Sequence, residues 1–228
     1  AVLTIGAGVT VHGTQGGTLL GYNSFDSILN QGIITADTAG MTITIGGALF
    51  TNAGTVSAAA GTLAVNATNW TNGGGTLATS GSGTLNLGGN LTLTGLAAFN
   101  RNGGTVNITG LLDNTGATLS LTGASSSSVW NLSTGTIKGG TVVVTGGASF
   151  TATGGTLDGV TLGCNLTVQD RSGLTIKNGL TLSNNAKLAT NSTNTSIYYT
   201  NLFFLRTQTP GSTCEVSYRG TSSHNDIK

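Results

Sequence analysis

Proline is all but missing from this chain, with Pro210 the single instance in 228 residues. Charge is nearly as scarce. Asp, Glu, Lys and Arg make up 7%, against about 25% in an ordinary globular domain. The net charge is +1 and no basic block occurs. That argues against a nucleic-acid partner, because such binding rests on clustered Lys and Arg. Two cysteines, Cys164 and Cys214, are too few for a disulfide scaffold and do not stand at metal-ligand spacing. A single bridge between them stays open. No apolar run approaches the roughly 20 residues of a membrane helix, so direct membrane insertion is not expected. No charged segment followed by an apolar one opens the chain. It starts at Ala1-Val2-Leu3-Thr4-Ile5, already a strand pattern, and reads as a fragment or mature piece of something longer.

Such low charge would mean disorder in a chain poor in aliphatics. Here hydrophobic residues are 37%, and Val, Leu and Ile fall in alternating runs that a disordered chain does not need. A short phrase also keeps returning: a glycine turn, then Thr and an aliphatic residue. It occurs at Gly54-Thr55-Val56, Gly75-Thr76-Leu77, Gly83-Thr84-Leu85, Gly104-Thr105-Val106, Gly135-Thr136-Ile137 and Gly155-Thr156-Leu157. A fixed period with β-type units marks a solenoid. The expected fold is all-β, a single-stranded parallel β-solenoid, a right-handed β-helix, with about 20–21 residues per coil and roughly nine coils over residues 1–190. Stacking turns equal offsets into neighbours in space.

Several columns follow from that register. Asn30, Asn52, Asn72 and Asn114 stand at corners, where Asn tolerates left-handed backbone and can hydrogen-bond from coil to coil. Phe50, Trp70 and Leu112 precede these corners, and Phe99 and Phe150 sit in similar phrases; core stacking is the expected role, an aromatic platform for sugars the alternative. Lys138, Asp158 and Lys177 share one offset. At about 4.8 Å between coils they form an alternating column. As a binding site it would take polyuronide carboxylates; as structure it is a cross-strand ion-pair ladder, which is the expected reading.

Other chemistry finds no support. Asp26, Asp37, Asp113, Glu215 and Asp226 share no offset with the repeat, and hydrolysis of a glycoside needs a pair of carboxylates. His12 and His224 stand at opposite ends. No nucleophile elbow, P-loop or dinucleotide fingerprint occurs. Catalytic residues, metal sites and cofactors are therefore expected to be none. Thr-x-Thr, at Thr42-Ile43-Thr44 and Thr92-Leu93-Thr94, does not recur at one offset, as an ice-ordering face would need.

The phrases Gly135-Thr136-Ile137-Lys138-Gly139-Gly140-Thr141, Gly155-Thr156-Leu157-Asp158-Gly159-Val160-Thr161-Leu162 and Asn178-Gly179-Leu180-Thr181-Leu182 resemble those of long bacterial surface or secreted β-helix proteins, of the autotransporter-passenger and filamentous-haemagglutinin kind. The resemblance covers about residues 1–190. It implies export to the cell surface, a structural or adhesive rod, and surface glycans or other cells as partners. It carries no active-site residues. A polysaccharide-binding or -cleaving β-helix is the alternative. Residues 191–228 lack the phrase and read either as a cap over the last coil or as a non-native ending; the second fits the missing pattern better.

Overall fold

The computed structural model describes residues 1–96, 99–124, 127–193, 199–205, 215–221 and 225–228. It is all-β, 59% strand, and stacks parallel sheets into a β-solenoid of about nine turns with about 22 residues per coil. Among the described residues every strand pairing is parallel, and two 13-stranded sheets run along the stack. Short alternating segments cannot bury a face alone. Each lays its inward side chains on those of the next coil, and the core is the pile.

A first face is built from Val2–Ile5, Ser27–Asn30, Leu49–Asn52, Asn69–Thr71, Asn90–Thr92, Leu111–Asp113 and Thr136–Lys138, continuing into Thr156–Leu162 and Gly173–Leu182. Its inward column runs Ile28, Phe50, Trp70 and, further along, Leu91, Leu112, Ile137, Leu157, Ile176. All are buried. Phe50 and Trp70 are core, with Trp70 Nε1 donating to the Gly88 carbonyl at 2.8 Å. Trp130 stacks on Phe150 in another column and donates to the Thr122 carbonyl at 2.9 Å.

The expected Asn column is present at the first corner. Asn30 Nδ2 donates to Asn52 Oδ1 at 2.7 Å, and Asn52 Nδ2 to Asn72 Oδ1 at 2.6 Å. All three are fully buried. A single helical turn, Leu93–Leu96, interrupts the column in the next coil, where Asn72 Nδ2 donates to the Leu96 carbonyl. Asn114 resumes one coil later, donating to the Thr141 carbonyl. A second Asn ladder runs outside through Asn86, Asn107 and Asn131. Gly89 enters the first face at φ 61°, and a Cβ there would overlap the Ala67 carbonyl, so the corner admits only glycine.

Threonine lines the outside in columns: Thr42, Thr62, Thr84, Thr105 in one and Thr118, Thr141, Thr161, Thr181 in another. The residues two places on from the first column change with every coil until Asn repeats, as Thr44, Ala64, Asn86, Asn107. The coil is longer than the phrase period because some corners are extended. Asp113, for example, pairs with Lys138, 25 residues on.

Beyond residue 190 the stacking goes on. Lys187–Ser192 is one strand, Thr200–Phe204 pairs with Gly173–Leu182, Glu215–Gly220 with Lys187–Ser192, and Asn225–Ile227 with Thr200–Phe204. Leu202 is buried. Pro210, Cys214 and His224 lie outside the described residues.

Candidate functional site

The charged column exists and is longer than expected. Lys138 is in register with Asp158, and Asp158 with Lys177. Asp113 joins below, in register with Lys138, which corrects the expectation that it shares no offset with the repeat. The 25-residue coil after it hides the match from a search at 20 or 21. The column does not alternate as one chain of ion pairs. Lys138 Nζ reaches back to Asp113 Oδ2 at 3.0 Å and Lys177 Nζ to Asp158 Oδ2 at 3.3 Å. Asp158 Oδ1 also accepts from Asn178 Nδ2 at 2.6 Å. The Thr115 hydroxyl and backbone N–H, then Lys138, hold the Asp113 carboxyl at about 2. The column carries two surface ion pairs, each worth about 0–1 kcal/mol. Asp170, at the corner before Gly173–Leu182, accepts from Ser192 and Thr193 of the next coil.

Among the described residues, no group of three or more His, Cys, Asp or Glu is placed to hold a metal. Cys164 is a free, half-buried thiol, and burial pushes its pKa up to about 11.

One charged residue that the sequence reading passed over sits inside the solenoid. The second face carries an inward column of small residues, Ala36, Ala58 and Thr79, and the next rung is Arg101. Arg101 is only 7% exposed. Counting 21 residues back from it, as from Thr105 to Thr84, lands on Ser80, which faces outward. The strands slip by one residue between Gly81 and Thr84, so Arg101 pairs with Thr79 instead. Since side chains alternate with period 2, one residue of slip turns an outward position inward.

The ladder breaks at this point. Residues 99–103 pair downward with Thr76–Leu87, and the strand Thr118–Leu121 pairs upward with Thr141–Val144. No described strand joins the two across the gap, although the flanking faces stay paired. The Arg101 guanidinium spans it. Nε donates to Thr79 Oγ1 at 3.1 Å, Nη2 to the carbonyls of Gly104 at 2.6 Å and Val129 at 3.1 Å, and Nη1 to that of Thr122 at 3.4 Å. It lies 5.1 Å from the Trp130 ring and 5.9 Å from that of Phe99, a cation–π arrangement. Phe99 meets Trp130 edge-on at 5.3 Å. All these partners are neutral. With no carboxylate to oppose desolvation, burial draws the guanidinium down to about 10, still a cation at neutral pH.

The surface is concave here. A groove of about 570 Å³ crosses four coils, from Ser80 past Asn100, Arg101 and Asn102 to Thr122 and Thr145. A further cavity of about 340 Å³ also borders Phe99, with Leu96, Leu119 and Trp130.

No family model, curated protein or solved structure matches this chain.

Proposed function

We propose that this chain is a structural and adhesive rod segment of a larger bacterial surface or secreted repeat protein, extracellular and without catalytic activity of its own. The observation that carries this reading is where the repeating polar residues go. Asn30, Asn52 and Asn72 spend their amides on the neighbouring coil, and the threonine columns repeat at the strand spacing on the outside. The recurrent chemistry holds coils in register and leaves a long, nearly neutral surface. That suits a spacer, which must be stiff and soluble. The phrases around Thr136, Thr156 and Thr181, similar to those of surface β-helix proteins, support export, with glycans or other cells as partners.

The test is adhesion of beads coated with the purified protein to cells and to immobilised glycans, run beside product analysis on the same polysaccharides. Retention above uncoated beads with intact polysaccharide is expected. New reducing ends or unsaturated products would replace this reading with a polysaccharide-cleaving enzyme.

A further inference from the structure

We propose that the groove over Arg101 is a carboxylate-binding site, and that its ligand is an acidic saccharide chain lying along the rod axis. This deepens the adhesive reading given above.

The first argument is charge. A guanidinium has five N–H donors. Four are taken, by the Thr79 hydroxyl and the carbonyls of Gly104, Val129 and Thr122, which leaves one on Nη1. The four bonds explain how the arginine bridges the break in the ladder. They supply dipoles in place of its lost water but leave its unit charge without a counter-ion. Among the described residues no carboxylate pairs with Arg101. A carboxylate is the group a guanidinium recognises best.

The second argument is direction. The groove runs from Ser80 through residues 100–102 to Thr122 and Thr145, hence across the strands. A peptide adding a strand would lie along them and use main-chain bonds. A ligand in this groove meets side chains instead, one set per coil. Those side chains are the third argument. Ser80, Asn100, Asn102, Thr122 and Thr145 present hydroxyls and amides, with half-buried Phe99 as an apolar wall. Hydroxyl and amide partners suit a polyhydroxylated chain, and the lone guanidinium calls for acid groups on it.

Trp130 supplies a reporter. Its indole N–H donates to the Thr122 carbonyl that Arg101 Nη1 also contacts. Trp70, the other tryptophan, bonds to Gly88 in the core and serves as the internal control. The experiment is NMR titration of the whole chain with short oligogalacturonates, with neutral oligogalactose, and with oligoglutamate. Saturable shifts of the Trp130 indole resonance by oligogalacturonate, with Trp70 unmoved and at least about tenfold weaker binding of the neutral sugar, are expected. The double variant Asn100→Ala/Asn102→Ala changes two exposed positions, so it keeps the wild-type melting temperature and should weaken binding several-fold. Arg101→Gln should abolish it; if that variant does not fold, the asparagine pair decides. Equal binding of the neutral sugar, no Trp130 response, unchanged affinity in the asparagine variant, or oligoglutamate binding as tightly as the uronate would each overturn the proposal. Cell adhesion without uronate binding overturns the site and leaves the adhesive rod standing. Uronate binding with no cell adhesion does the reverse.

Discussion

Single residues in this molecule owe their properties to the coil above and below. Cys164 lies between the strands Thr156–Leu162 and Leu166–Val168, where burial pushes its thiol from the ordinary 9.0 up to about 11. Only the thiolate is nucleophilic, so in a Cys214→Ser background native alkylation at pH 8 should run roughly 100-fold slower than after unfolding. Equal rates in the two states would show that the thiol is not buried. Asp113 moves the other way. Its folded pKa of about 2 lies below the ordinary 3.8, so its contribution to stability is present above pH 4 and is lost as pH falls through about 2. In Asp113→Asn, the fall in melting temperature between pH 4 and pH 2 should be shallower than in wild type. A parallel pair of curves would show that the carboxylate does nothing for the fold.

At the scale of an element, the buried Asn column decides how coils meet. Asn52 is its middle rung, accepting from Asn30 and donating to Asn72 and to the Thr76 carbonyl. Asn52→Ala takes away the acceptor of an Asn30 amide N–H on one side and a donor to Asn72 Oδ1 on the other, both buried. A loss of about 2–4 kcal/mol in urea unfolding is expected. Asn52→Asp should lose at least as much at neutral pH, since it buries a charge and sets an acceptor against Asn72 Oδ1. It should recover part of that loss on acidification, as the carboxyl takes up a proton and becomes a donor again. A loss below 0.5 kcal/mol for the alanine variant would mean that the column is decoration.

For the whole molecule, the break beside Arg101 matters most. A solenoid's stability is close to a sum of nearest-neighbour interfaces, so one face without ladder bonds makes one weak interface. Amide hydrogen exchange should therefore find lower protection in residues 99–103 and 118–121 than in the unbroken ladder at residues 136–144 and 156–162. The coils on either side should exchange as two separate blocks. Uniform protection from end to end would show that the guanidinium bridge fully replaces the missing bonds.

Much of this was legible in the chain. Period, parallel stacking, the corners at Asn30, Asn52 and Asn72, and the register of Lys138, Asp158 and Lys177 all follow from phrases of nearly constant length. Two features were not. Asp113 escaped because the coil after it runs to 25 residues, and Arg101 because a one-residue slip lies between Gly81 and Thr84.

Composition and periodicity by themselves determined the architecture, because alternating aliphatic residues at a fixed repeat have only one way to bury their faces: on their own copies. Tertiary structure alone decided which polar residues those copies enclose. Corner length sets register, register has period 2, and a single inserted residue moves a charge from solvent to core. In this protein that charge is Arg101, and the groove above it lies where the ladder stops.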